Sequence, residues 1–222
     1  ERLRGGDKGV LPLHWEIEFP EVFGARRNPG FDGIVGNPPF LGGTRVSTVL
    51  EREYADALVQ FFPGWGNRAD LVVCFFRRAF VLIRQHGTLG LVATNTIAQG
   101  DSRSSGLRII CEGEGAIYNA VRRLRWPGRA AVVVSVVNIA KGKPSGVLLL
   151  DGVPVPRVSA YLFHRGGDGD PARLDANLRR STQGVKPYGD GFRFEDGNAR
   201  ATSLREMRDL LLKSPPSAAL IY

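Results

Sequence analysis

Residues 67–94 narrow the possible folds more than any other stretch of the chain. Asn67 can cap a helix over 68–85, and Asp70 falls in its first turn, where a carboxylate opposes the helix dipole. That helix is apolar nearly all round, through Leu71, Val72, Phe75, Phe76, Ala79, Phe80, Leu82 and Ile83, so it needs cover on every side. Gly87 ends it, and Thr88 to Thr94 follows as a continuous apolar run. A strand with no polar face belongs inside a sheet covered by helices, the usual setting of parallel strands. A second buried strand, Phe31-Asp32-Gly33-Ile34-Val35, precedes a helix over 47–62 that Ser47 can cap, with Val49, Leu50, Ala57, Leu58 and Phe61 near helical spacing. Pro63-Gly64-Trp65-Gly66 then breaks the chain. Helix and strand alternating in this way predict an α/β fold, with 31–35 and 88–94 as adjacent parallel strands.

The rest is less regular. A polar loop is expected from Asn95 to Ser105, then a short helix near 106–112. Ala130–Ile139 and Val147–Leu150 read as an antiparallel hairpin at the sheet edge, joined by the turn-rich residues 141–146. After residue 151 Gly, Pro, Asp and Arg become dense, as in Gly166-Gly167-Asp168-Gly169-Asp170-Pro171. The expected division is therefore 1–150 and 151–222. A helical pattern over Ser203–Lys213 lies in the second region.

Composition excludes several classes. No apolar run among the 222 residues reaches the length of a membrane span. Cys74 and Cys111 stand far apart and outside any CxxC, which excludes a disulfide framework or zinc cluster and suits a reducing cytoplasm. His14, His86 and His164 have no partners at metal or triad spacing, so no metal is assigned. The net charge of +8 favours a phosphate-bearing partner. Yet 25 of the 30 basic residues are Arg, scattered except for Arg122-Arg123 with Arg125 and Arg129. Charge supports nucleic-acid binding without establishing it.

Asn37-Pro38-Pro39-Phe40 directly follows the first apolar strand; alone it reads equally as a turn after a strand, and the helix–strand pair behind it turns the reading toward chemistry. Open α/β sheets bind ligands at the carboxyl ends of their strands. An exocyclic base amine is a poor nucleophile, because its lone pair is delocalised into the ring. Two acceptors that each take one amine hydrogen localise that lone pair. Asn37 offers a side-chain carbonyl, and Pro38 a main-chain carbonyl with no N–H to compete. Each proline fixes its own φ and restricts the residue before it, so the acceptors are held in place beforehand. Phe40 offers a face for stacking. A base paired inside a duplex cannot reach such a turn, so the target must be flipped out.

The segments His14-Trp15-Glu16-Ile17-Glu18-Phe19-Pro20-Glu21-Val22-Phe23, Phe31–Gly36 running into the tetrapeptide, Gly87–Gly100, and Trp126-Pro127-Gly128 together resemble the MmeI-like, type IIG restriction-modification methyltransferases. The resemblance covers residues 11 to 200. It implies a Rossmann-like methyltransferase sheet, with parallel strands ending in an antiparallel hairpin, followed by a β-rich target-recognition region. It implies transfer of a methyl group from S-adenosylmethionine to adenine N6 of double-stranded DNA, with Asn37 and Pro38 on the target amine and Phe40 stacking. Asn at the first motif position resembles adenine-N6 enzymes more than cytosine-N4 ones. The chain departs from the family in showing no aromatic-x-Gly-x-Gly turn after a strand ahead of the tetrapeptide, where the family carries its cofactor turn, so the expectation is a fragment whose cofactor half lies upstream, inactive alone. Asn95, Gln99, Arg103 and Trp126 are candidate DNA contacts. Each has a plainer reading: strand end for Asn95, solvated loop for Gln99 and Arg103, turn packing for Trp126. Methylation of a protein glutamine amide or an RNA base amine, or an inactive DNA-binding fragment, are the competing readings.

Overall fold

The computed structural model describes residues 13–25, 27–43, 45–46, 52–66, 68–126, 132–171 and 193–220. The two predicted caps Ser47 and Asn67, and residues 47–51 of the first predicted long helix, lie outside these. The chain divides into two compact units, 1–171 and 172–222.

In the first unit, strands β1 (Phe31–Gly36), β2 (Ile83–Thr94), β3 (Gly115–Arg125), β4 (Val133–Lys141), β5 (Leu148–Leu150) and β6 (Val153–Val155) form one sheet in the order β1-β2-β4-β3-β5-β6. β1 and β2 are adjacent and parallel, as the alternation predicted, with Gly33 opposite Thr88 and Gly36 opposite Leu91. β4 runs antiparallel to both β2 and β3. The carboxyl ends of β1, β2 and β3 therefore share one end of the sheet. Helices cover it, the longest being Val72–Leu82 and Arg52–Phe61. Val72, Val73 and Phe76 of the first meet Leu89, Leu91, Val137 and Ile139 of the sheet in the main core.

Three expectations need correction. The apolar helix ends at Leu82, and the strand begins at once with Ile83, well before Gly87. Lys141, from the end of β4, donates to the carbonyls of Phe80 (3.2 Å) and Ile83 (3.0 Å). A cation distant in sequence thus serves the helix C-terminus, where local sequence shows only Gly87 as a stop. Gly30, at φ 121°, lets the chain pass against this junction, because a Cβ there would lie 2.6 Å from the Arg84 nitrogen.

The hairpin is also paired differently. β4 pairs with β3, while Leu148–Leu150 joins β3 in parallel and turns back through β6. β3 escaped the sequence reading because Asn119, Arg122, Arg123 and Arg125 mask its pattern, although Ile117 and Ala120 are buried. Two register irregularities, between Ile117 and Asn119 and between Val121 and Leu124, further break its alternation. Finally, 95–105 is an ordered segment: a 3-10 turn Asn95–Ala98 and a helix Gly100–Ser105 with Ser102, Arg103 and Ser105 buried. A helix follows at Leu107–Glu112, close to the predicted one.

The second unit contains the predicted helix, Leu204–Lys213, closed by a capping box. Ser203 Oγ accepts from the Glu206 N–H, and the Glu206 carboxylate accepts from the Ser203 N–H, both at 3.2 Å. Among the described residues no helix is long and apolar enough to cross a membrane.

Candidate functional site

Asn37-Pro38-Pro39-Phe40 leaves the sheet directly at the carboxyl end of β1. Asn37 and Pro39 are exposed and Pro38 is half-buried, so the first acceptors stand at an accessible surface. Phe40 is half-buried and packs against the main core. Asn37 and Pro38 border an apolar groove of about 630 Å³ walled by Phe19, Ile34, Phe75 and Leu91. Trp15, Phe19 and Phe23 surround Phe31 at ring-centroid distances of 5.7, 5.4 and 5.2 Å. Sequence reasoning assigned these aromatics no part beside the tetrapeptide. Their spacing of four residues was the available signal.

The loop after the tetrapeptide is fastened from below. Leu41 N–H donates to Asp70 Oδ1 at 3.1 Å, and Leu71 N–H donates to the Leu41 carbonyl at 3.0 Å. Asp70 Oδ1 also accepts from Val72 N–H (3.0 Å); the helix begins at Val72, so Asp70 stands just ahead of it and not in its first turn. Asp70 Oδ2 accepts from the Thr94 hydroxyl at 3.3 Å, and Asp70 N–H donates to Ser102 Oγ at 2.9 Å. Gly43 passes so close to Arg68 that a Cβ would lie 2.2 Å from its carbonyl carbon. Only glycine lets these two segments approach.

Thr94 and Asn95 end β2 at the same edge. Thr94 pairs with Thr96 through their hydroxyls at 2.8 Å, and Asn95 Oδ1 accepts from buried Ser135 of β4 at 3.4 Å. Asn95 and Gln99 border a second cavity, of about 350 Å³, with Arg122, Arg123, Tyr161 and Phe163. Arg122 is held by Asp151 through main chain (2.7 Å) and guanidinium (2.9 Å), and it donates to the Leu162 carbonyl at 3.0 Å. Burial pushes the Asp151 carboxyl up, but the hydrogen bonds and charge of Arg122, with the charge of Arg123, outweigh this and hold it below its usual value. Arg123 is exposed in a left-handed backbone conformation (φ 52°).

Two of the candidate DNA contacts are placed otherwise. Arg103 is only 3% exposed. Its guanidinium pairs with Asp170, donates to the Asp168 carbonyl (2.7 Å) and lies 4.0 Å over the Tyr161 ring. It ties 157–171 to the helix Gly100–Ser105 and is not available as a surface contact, because its donors are consumed inside the fold. Trp126 is half-buried, and its N–H donates to the Val132 carbonyl at 3.0 Å, closing the β3–β4 hairpin. Its placement is that of a turn residue.

A parallel β1–β2 pair, an antiparallel strand inserted before β3, and Asn-Pro-Pro-Phe at the shared carboxyl end define a methyltransferase-type α/β domain. The chain belongs to the MmeI DNA-methyltransferase domain family, whose model matches residues 9–150. A solved type IIL restriction-modification enzyme, MmeI in complex with DNA, superposes with a TM-score of 0.55 at 22% identity, covering 83% of this chain and 26% of that one. The type II methyltransferase M.BstVI of Geobacillus stearothermophilus is 31% identical over 65 residues, 29% of this chain and 11% of that protein. The chain thus spans only a small part of the length of these relatives.

Proposed function

We propose that this chain carries the target-base side of a restriction-modification DNA methyltransferase acting on adenine N6. The observation that carries the reading is the placement of Asn37-Pro38-Pro39-Phe40 at the carboxyl end of β1, beside the end of β2, in a chain of this family. A flipped adenine is taken with its amine between the Asn37 side-chain carbonyl and the Pro38 main-chain carbonyl. Each accepts one N–H, which localises the nitrogen lone pair. The localised lone pair would take the donor's methyl group as the sulfur–methyl bond breaks and the donor leaves as a thioether, one amine proton passing to solvent. Phe40 supports the base with the part of its ring that the core leaves free.

S-adenosylmethionine supplies the methyl group. The groove beside Asn37 is walled by apolar side chains, and Asp70, the buried carboxylate nearby in the fold, is already engaged by Leu41, Val72 and Thr94. With Asp70 so engaged, these residues serve the acceptor base and not the donor's ribose.

Double-stranded DNA is the proposed partner. Asn95 and Gln99, with Arg122 and Arg123, line a cavity at the same end of the sheet as Asn37. That arrangement of donors and positive charge supports the reading, since phosphate and base contacts both draw on such groups. Residues 151–222 are read as the beginning of the target-recognition region, and 1–150 as methyltransferase domain.

The test is single-turnover methylation of a duplex carrying the target site by the full-length protein. Asn37→Ala removes one acceptor and should slow turnover on the order of 10²–10³-fold. DNA affinity in a gel-shift assay should survive, because phosphate contacts supply most of it. A parental rate in a folded Asn37→Ala protein sinks the reading.

A further inference from the structure

The prolines of the tetrapeptide fix its internal shape. They do not fix where the loop sits relative to the sheet, and a rigid turn in the wrong place presents its acceptors to nothing. We propose that Asp70 is the residue that sets the position of the Asn37–Phe40 loop, acting through Leu41. The inference rests on the acceptor reading of Asn37 and deepens it.

Asp70 is 4% exposed. A buried carboxylate is costly unless its lone pairs are taken up, and here both oxygens are used. Oδ1 accepts from Leu41 (3.1 Å) and Val72 (3.0 Å), and Oδ2 from Thr94 (3.3 Å). The Val72 bond alone would be ordinary helix capping, which a shorter polar side chain performs equally well. The other two are different in kind. One reaches 29 residues back to the position directly after Phe40, and the other 24 residues forward to the last residue of β2. Leu41 is held at its carbonyl as well, by Leu71 N–H at 3.0 Å. Asp70 is itself fixed by its N–H to Ser102, which is 4% exposed. One side chain therefore joins the outgoing end of β1 to the outgoing end of β2, and the site lies between those ends. The helix N-terminus beneath it favours the negative charge.

Four variants of the full-length protein test this, each measured for single-turnover methylation, DNA affinity and Tm. Asp70→Ser keeps a helix cap but is one bond too short for Leu41, and it should slow methylation about 10- to 100-fold with DNA affinity unchanged, as expected for misplaced acceptors. Asp70→Asn keeps Oδ1 for both amides and should restore a near-parental rate. Ile117→Val trims the core at β3, outside the Asp70 bonds, and should lower Tm while leaving the rate. Asn37→Ala is the reference for the acceptor reading. A parental rate in Asp70→Ser overturns the proposal, as does an Asp70→Asn as slow as Asp70→Ser. An Ile117→Val slowed in proportion to its loss of Tm also overturns it, since Asp70 would then act only through general stability. Should Asp70→Ser fail to fold, Asp70→Asn decides: a near-parental rate upholds the proposal, and a loss equal to that of Asn37→Ala overturns it. If Asn37→Ala itself methylates at the parental rate, the acceptor reading fails first, and this is seen independently of the Asp70 results.

Discussion

Gly36 stands opposite Leu91 across the parallel β1–β2 ladder, so β1 stops three residues before β2 ends at Thr94. At that step Asn37 and Pro38 line a recess together with Leu91. Each residue around that recess answers differently to substitution.

Phe40→Ala should act on two properties at once. Phe40 packs against the core on one side and is open on the other. Loss of stacking should weaken capture of the flipped base by about 1–3 kcal/mol, and loss of packing should lower Tm. Asn37→Ala should leave Tm unchanged. Fluorescence of 2-aminopurine at the target position, read beside thermal unfolding, checks both; a Phe40→Ala protein with parental base capture would remove Phe40 from the site.

Arg103→Ala should destabilise the first unit by about 1.5–3 kcal/mol, the range for hydrogen bonds to charged groups, with DNA affinity little changed. Arg123→Ala should do the reverse, weakening DNA binding and flattening its salt dependence without loss of stability. Urea unfolding and gel shifts at several salt concentrations separate the two. A salt slope reduced by Arg103→Ala would return that residue to the DNA surface.

Both thiols should be slow toward iodoacetamide in the native protein and fast after unfolding. Burial pushes the Cys74 thiol well up, and burial with the charge of Asp168 pushes Cys111 up to about 12. Because the fold favours the neutral thiols, this contribution to stability is complete below the unfolded thiol value of about 8.5 and declines as pH rises above it. Mass spectrometry of timed alkylation gives the rates; rapid labelling of Cys74 at neutral pH would contradict the packing described for it.

The Asp151–Arg122 pair works in the opposite direction. The Asp151 carboxyl is held below its usual value in the fold, so its contribution is present above the unfolded value of about 3.9 and is lost as pH falls through the native one. Asp151→Asn should remove that acid limb from the pH dependence of Tm and leave the neutral region nearly flat. An unchanged acid limb would show that other carboxylates govern it.

How much of this was legible beforehand depends on the range of the interactions. The β1–β2 pair and the apolar helix were readable because their signal is local: runs of Val, Leu, Ile and Phe between Gly and Pro. The tetrapeptide was readable because its chemistry is carried by consecutive residues. β3 was not, since Arg122, Arg123 and Arg125 give a strand the texture of a loop. The helix stop at Leu82 is supplied by Lys141, and the burial of Arg103 by Asp170, 67 residues away. Asp70 was read as a cap from its position, and that is the local part of its role. Its bonds to Leu41 and Thr94 depend on how the loops fold over one another.

The place of β4 has a consequence for how the molecule comes together. β4 separates β2 from β3, and it is made after both of them. As the chain emerges during synthesis, β1 and β2 can associate early, but β2 and β3 each keep a bare edge until residues 133–141 arrive to join them. The middle of the sheet thus closes only after the strands on both sides of it are made, and the interval is a window in which two strands with apolar faces can meet another molecule instead. Lys141, the final residue of β4, reaches the carbonyls of the helix above only at that moment. A nascent chain stopped short of Lys141 would hold β1, the Asn37 loop, the helix and β2, but its helix would lack the cation that serves its C-terminal carbonyls.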